Sequence, residues 1–417
     1  MQAILLAGGQ SLRLYPFANG VHKSMISILG KPLICHTVEK LKAVGLTDII
    51  IVTDPKSIIK DYLGDGKNQG VSIRYITQPQ PLGMANALLC AKKLIKGDFV
   101  ILHSYHVDAD VLYKELRAKK TQNRKGVILA KERKDTWKYG ILKTEGEYVK
   151  EVIEKPERGN EPSNLSIVGI YLLSKEFVDI AAQVPKEHYQ FEKALSIFAQ
   201  NSAVAFVKTS QDTVVLKYPW DLLALKNYLL KGIKTSIAAN ADIAKSAEIS
   251  GNVIIEKGVK IMEGVKIKGP CYIGKNVYIG TNVIIRNGVN LEEGCIIGAN
   301  MEVKNSLIMQ GSTTHSGFIG DSVIGQRSKI AAQFCSANVR LDRKTVKVIA
   351  KKEKMDSGLK YLGVIIGNNT EIGIKVSTMP GVIIGNNVTI GPATVVKNNV
   401  EDDNTYYTKF HEIVTKK

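Results

Sequence analysis

Residues 253–267 read Val253-Ile254-Ile255-Glu256-Lys257-Gly258-Val259-Lys260-Ile261-Met262-Glu263-Gly264-Val265-Lys266-Ile267, and the pattern returns every six residues. The sixth-residue series runs Ile237, Ile243, Ile249, Ile255, Ile261, Ile267, Ile273, Ile279, Ile285, Leu291, Ile297 and Val303. Four residues after each member stands a second apolar side chain, from Ala241 through Val253, Cys271 and Val283 to Met301 and Leu307. An α-helix cannot hold a period of six on one face, and an extended strand has a period of two. Short flat strands joined by tight turns can hold it, each isoleucine stacking on its equivalent in the next coil. Residues 231–417 are therefore expected to form a left-handed parallel β-helix of hexapeptide repeats. The register is expected to break after Val303 and to restart at Ile366, Ile372, Thr378, Ile384, Ile390 and Val396. The basic stretch from about Arg340 to Tyr361 is expected to loop out of the scaffold, where binding residues usually sit.

Residues 1–230 follow a different rule. Short apolar runs (Ala3 to Leu6, Ile49 to Val52, Ile73 to Ile76, Phe99 to Leu102, Val127 to Leu129, Ile167 to Leu172) alternate with helical patterns such as Leu33 to Val44. Strands separated by helices imply βαβ units and a largely parallel, Rossmann-like α/β sheet. Ligands of such sheets bind outside the carboxyl ends of the strands.

The net charge of +18 comes from lysines spread along the chain, with only Lys351-Lys352-Glu353-Lys354 approaching a cluster. Aromatic residues are 6% of the chain, too few for the stacking platforms of nucleic-acid binders. The charge is read as a solvated surface whose positive field also attracts phosphorylated small molecules. Five cysteines at irregular spacing (Cys35, Cys90, Cys271, Cys295, Cys335) form neither a disulfide framework nor a zinc motif. The first apolar run breaks at Gly8-Gly9 and has no basic residues before it, so neither a signal peptide nor a membrane span is expected. A cytoplasmic location is expected.

A glycine-rich string follows the first strand: Leu6-Ala7-Gly8-Gly9-Gln10-Ser11-Leu12-Arg13-Leu14-Tyr15-Pro16, then Lys23 and Gly30-Lys31-Pro32-Leu33. Glycines let backbone N–H groups approach phosphates, and Arg13 and Lys23 carry the charge to neutralise them. The string resembles the signature of the sugar-1-phosphate nucleotidylyltransferases. That resemblance implies base reading around Gln78 and Gly83, and a sugar-phosphate segment at Tyr139-Gly140 and Glu154-Lys155-Pro156. It also implies Mg²⁺, held by two carboxylates, to clamp a nucleoside triphosphate. Here the third loop glycine is Ser11, the first metal position is Tyr105, and the second falls on Val215 near Pro219-Trp220. A sugar-contacting Asn is replaced by Ile167. A phenol and an isopropyl group are poor ligands for a hard cation. His103 and His106 are read as ordinary polar residues, so no metal ligand is assigned.

The second half carries His315 in Thr313-Thr314-His315-Ser316-Gly317-Phe318, with Asn338, Lys344 and Lys347 downstream and Arg286 and Lys304 upstream. This arrangement resembles the acetyltransferase half of bifunctional amino-sugar-1-phosphate acetyltransferase/uridylyltransferases, including their archaeal relatives. The resemblance implies acetyl-CoA as acyl donor and a glucosamine- or galactosamine-1-phosphate as acceptor. It makes His315 the general base, Asn338 the holder of the sugar amine or cofactor, and Arg286 and Lys304 the phosphate ligands. Lys344 and Lys347 become accessory ligands. A neutral imidazole suits the task, because an amine must lose a proton to attack a thioester. Two departures matter: Phe318 replaces a tyrosine, and the turn Ala331-Ala332-Gln333-Phe334 is expected to crowd the pantetheine path. The resemblance further implies a homotrimer or a multiple of three, with no nucleic acid or membrane as partner. Two other readings stay open at this point. One is a non-catalytic regulatory paralogue. The other is a fully bifunctional enzyme in which Asp108 or Asp221 rescues metal binding.

Overall fold

Period-two burial organises the first half of the chain. In β1 (Gln2–Ala7), Ala3, Leu5 and Ala7 face one side and Ile4 and Leu6 the other, and all are buried. A strand buried on both faces must lie between two layers of helices. The computed structural model describes residues 1–17, 21–350, 353–411 and 413–415. The chain packs as two units: Met1–Gln10 and Pro32–Val214 make up most of the first, and Val215–Lys417 most of the second. Residues 26–31 and Ser11 to Phe17 pack with the second.

The first unit is built on one nine-stranded sheet. Its strands after β1 are β2 (Asp48–Thr53), β3 (Ser72–Thr77), β4 (Phe99–His103), β5 (Gly126–Glu132), β6 (Gly140–Glu145), β7 (Tyr148–Glu154), β8 (Leu165–Leu173) and β9 (Val204–Lys208). They lie in the order β3-β2-β1-β4-β8-β5-β9-β7-β6. Helices α1 (Leu33–Ala43) and α4 (Ala109–Lys119) cover one face; α3 (Gly83–Cys90), α5 (Glu176–Gln183) and α6 (Gln190–Asn201) cover the other, and α2 (Ile59–Leu63) is a short connector. The sheet is less parallel than the spacing of runs suggests. β3, β2, β1 and β4 are parallel, but β8 runs antiparallel to both neighbours, and β6 and β7 form an antiparallel pair.

In the second unit each coil gives one strand to each of three parallel sheets, forming a three-faced β-helix. The first face runs from Ser236–Ile237 to Ile383–Ile384, the second from Asp242–Ile243 to Thr405–Tyr406, and the third from Glu248–Ser250 to Val395–Val396. The isoleucine series fills the interior, with Ile261, Ile267, Ile273, Ile279 and Ile285 at 0–2% exposure. Each such side chain stabilises by roughly 1.5–3 kcal/mol on burial. Helix α7 (Asp221–Lys231) precedes the coils and belongs to the same unit.

The expected break after Val303 is absent, because the turns shorten instead. Ile273 pairs with Leu291, 18 residues on, Leu291 with Ile308, 17 on, and Ile308 with Ile324, 16 on. Turns of five residues keep the stack in register while the sequence period drifts. Ile324 then pairs with Ile366, because the chain completes the coil through Lys329–Ile330 and Phe334–Ser336 and only then leaves the scaffold before returning. The excursion carries an antiparallel hairpin, Lys347–Ala350 against Glu353–Asp356, and its base closes through a bridge from Val339 to Tyr361. Lys351 and Lys352 of the basic cluster lie outside the described residues.

Candidate functional site

The coils have corners, and the acyl-transfer candidates divide between two of them. Corner residues take positive φ, a conformation that Asn and Asp tolerate better than other side chains. Where the third face turns into the first, Asn287, Asn305 and Asp321 occupy this conformation on successive coils. Arg286 and Lys304 are register partners immediately before that corner. The looped-out segment leaves from the same corner, bringing Asn338 and Tyr361 to it.

Asp321 ties this corner together. Its side chain is 3% exposed, and Oδ2 accepts from Lys304 Nζ at 2.9 Å and Asn338 Nδ2 at 2.6 Å. Oδ1 accepts from Asn305 Nδ2 at 2.7 Å. The ring of Tyr361 lies 4.6 Å from Lys304 Nζ. From α7, Lys226 donates to the Gly288 carbonyl and to Asn305 Oδ1, and burial pulls its amine down to about 7. Arg286 is engaged separately, by Glu302 at 2.6 Å, with both side chains about one-third exposed. Arg340 pairs with Asp342, and Lys344 and Lys347 are exposed on the hairpin segment.

His315 stands at a different corner, where the second face turns into the third. It is exposed, no hydrogen bond holds its ring among the described residues, and it lines a groove of about 740 Å³. Thr313, Lys329, Ala331 and Ile372 also line that groove. The structure therefore joins Lys304 to Asn338 within one chain but leaves His315 across the third face from both. The expected crowding by the 331–334 turn does not arise from Phe334, which is 0% exposed and packs in the core. The Phe318 side chain lies instead over Gly320, close to the Asn338 amide.

In the first unit, Gly8 is buried against Gln78: a Cβ at Gly8 would come within 2.7 Å of Gln78 Oε1. Gln78 Nε2 donates to the Gly83 carbonyl at 3.1 Å and to Asn86 Oδ1 at 2.8 Å. Both amide protons are thus used internally, so base reading by this residue is limited to its oxygen. Gly83 and Asn86 line a cavity of about 370 Å³ with Lys186 and His188. Gly140 pairs with Glu154 across two strands, and Ile167 packs over Gly140. Lys155 takes positive φ beside Glu154, its Nζ 5.6 Å from the Tyr189 ring. Ser11 adopts φ +55, the conformation for which a third glycine would be suited. Gly9 is exposed, and Arg13 lines a cavity of about 820 Å³ in the second unit with Lys217, Tyr218 and Asp402.

Tyr105 occupies the first expected metal position as part of an aromatic stack. Its ring is 5.4 Å from that of His103 and 5.3 Å from that of His106, nearly parallel to both, and Lys23 Nζ lies 4.1 Å from its centroid. Burial and the Lys23 charge hold His103 well below its ordinary value and His22 at about 3, so both imidazoles are neutral at pH 7. Such a stack does not fit a hard dication, which takes oxygen anions. The two aspartates considered as substitutes have other work. Asp108 is 2% exposed, bonded to His106 Nδ1 at 2.9 Å and to the Val214 N–H at 3.0 Å. Asp221 accepts the Lys217 and Tyr218 N–H groups, each at 2.7 Å. Among the described residues no group of three His, Cys, Asp or Glu side chains could hold a metal ion.

Comparison with known proteins matches residues 2–218 to the nucleotidyl transferase family, and residues 270–303 and 363–397 to the hexapeptide repeat of succinyl-transferase. The bifunctional protein GlmU of Methanocaldococcus jannaschii is 32% identical over 422 residues, covering 100% of both chains. A bifunctional sugar-1-phosphate nucleotidylyltransferase/acetyltransferase of Sulfurisphaera tokodaii is 32% identical over 411 residues, covering 96% of this chain and 98% of its own. Among solved structures, UDP-glucose pyrophosphorylase from Acinetobacter baumannii superposes with a TM-score of 0.47 at 22% identity, over 55% of this chain and 94% of that one.

Proposed function

The chain belongs to the nucleotidyl transferase family, in its bifunctional sugar-1-phosphate nucleotidylyltransferase/acetyltransferase form, and from that premise we propose that it acetylates the amine of an amino-sugar-1-phosphate. Glucosamine-1-phosphate and galactosamine-1-phosphate are the acceptors, and acetyl-CoA supplies the activated acetyl group. The observation that carries this reading is the exposed, unbonded His315 ring on the wall of an open groove. A neutral imidazole there takes the proton that the attacking amine must lose. Lys304 and Asn338 hold the sugar phosphate and the amine. Arg286 is the second phosphate ligand, once a phosphate displaces Glu302 from it. Lys344 and Lys347, exposed on the hairpin segment, act as accessory cations for the anionic substrates.

Nucleotidyl transfer is impaired in this reading. Mg²⁺ would have to be held where Tyr105 and Val215 stand, and the aromatic stack around Tyr105, which offers no oxygen anion there, argues against it. Binding of a sugar phosphate or nucleoside triphosphate survives through Gly8, Gly9 and Lys23.

The working form is a homotrimer or a multiple of three. His315 and Asn338 lie on different corners of one chain, so a complete site needs His315 from one copy facing Asn338 of a neighbour. A three-faced prism offers flat sides for such a closed cyclic interface. The test is thiol release from acetyl-CoA with each amino-sugar-1-phosphate. Release that depends on the sugar amine supports the reading. No release with either sugar removes it, leaving the regulatory paralogue.

A further inference from the structure

Three polar side chains at the Lys304 corner end on one carboxylate that no sequence motif marks. Asp321 Oδ2 receives both Lys304 Nζ and Asn338 Nδ2, while Oδ1 receives Asn305 Nδ2. Asn305 is braced from behind, its Oδ1 accepting from Lys226 Nζ and Asn227 Nδ2, each at 3.0 Å. A carboxylate can only accept, so Asn338 must turn its NH₂ group toward Asp321 and its amide oxygen away. Lys304 spends one N–H on the same oxygen, and its other protons remain available to an anion. Two groups that share one carboxylate oxygen are neighbours: an outward-facing acceptor and a cation stand side by side.

We propose that Asp321 is a positioning residue of the acetyl-transfer site, presenting the Asn338 oxygen to the sugar amine and Lys304 to the sugar phosphate. The pairing matches the acceptor's chemistry, because an amino-sugar-1-phosphate carries its amine and phosphate on adjacent carbons. An amine N–H held by the Asn338 oxygen has its lone pair directed elsewhere, toward the thioester. The proposal rests on the acetyl-transfer reading above and adds the group that fixes its geometry.

The test uses Asp321→Asn in the full-length protein. Asparagine keeps the shape and tolerates the φ of +50 at this corner, so the fold should be retained. It removes the charge that compels Asn338 to face one way. Turnover should fall by ~10²-fold, the usual consequence of a reacting group misplaced by about an ångström, and KM for glucosamine-1-phosphate should rise. In an Asn338→Ala background the further loss of kcat should vanish, because the group being positioned is gone. Asn305→Ala, which removes the bond to Asp321 Oδ1 together with those from Lys226 and Asn227 but leaves Oδ2 with Lys304 and Asn338, should show a smaller fall with the same dependence on Asn338. It serves if Asp321→Asn does not fold. Wild-type kcat in these variants, or equal losses with and without Asn338, overturns the proposal. If the wild type does not acetylate, the acetyl-transfer reading fails by itself. Calorimetric binding of glucosamine-1-phosphate then decides: a tenfold weakening in Asp321→Asn retains the positioning role, and unchanged affinity ends it.

Discussion

His315 and Lys226 show how differently two ionisable side chains can be placed in one scaffold. His315 is exposed and free to turn toward a substrate, so His315→Ala removes a base without opening a cavity. Its kcat should drop by ~10²–10⁴-fold, while acetyl-CoA affinity measured by calorimetry stays near that of the wild type. Near-wild-type turnover would place the base elsewhere. Lys226 is buried, and its amine falls from 10.5 to about 7. Between those values the unfolded chain holds a proton that the folded lysine lacks, so stability rises with pH through this window. The effect is at most ~5 kcal/mol, from ~1.4 kcal/mol per pH unit. Urea midpoints at pH 7.5 and 9.5 should therefore climb more in the wild type than in Lys226→Met, and equal slopes would refute the assignment. His315 stands out in the sequence as a candidate base because its neighbours form a motif. Asp321 was not, since it is recognisable only as the equivalent of Asn287 and Asn305, and shortened turns hide that equivalence.

Coils and corners are the elements that organise the second unit. The isoleucine period was readable up to Val303 because every turn before it has the same length. Beyond it the three sheets continue while the spacing falls from 18 to 16 residues, and the period of six returns only from Ile366, which pairs with Ile384 18 residues on. The hairpin was legible as an excursion from its basic composition, but not as the structure that brings Tyr361 beside Lys304. In the first unit the antiparallel β6–β7 pair escaped notice because its runs are interrupted by charged residues such as Lys143, Lys150 and Glu151. The stacked interior carries its own prediction. Ile279 is fully buried between coils, whereas Ile296 is 44% exposed on the second face. Ile279→Ala should cost 2–5 kcal/mol in denaturant unfolding of the assembled protein. Ile296→Ala should cost under ~0.5 kcal/mol unless that face is covered by another copy. Comparable losses at low and high protein concentration would leave the first result to the fold and the second to surface chemistry.

At the scale of the whole molecule, one chain carries two halves of different design, with acetyl transfer proposed for the second and impaired nucleotidyl transfer for the first. The β-helix places the proposed base and the residues proposed to hold the substrate on separate corners, across the third face from one another. Light scattering at micromolar concentration should accordingly give a trimer or a multiple of three, and a stable monomer would contradict the shared site. The first unit holds Gly8, Gly9 and Lys23, and an aromatic stack includes Tyr105, the position expected from the sequence to bind a dication. Metal stabilisation supplies several kcal/mol of such a reaction, and ~1.4 kcal/mol is a factor of ten in rate. The most direct measurement follows both products in one reaction containing the protein, acetyl-CoA, glucosamine-1-phosphate, UTP and Mg²⁺. Coenzyme A thiol should appear with the sugar acetylated, and pyrophosphate should lag it by several powers of ten, with dTTP or the galacto sugar giving the same imbalance. Pyrophosphate released at a rate comparable to the thiol, and abolished by EDTA, would contradict the account.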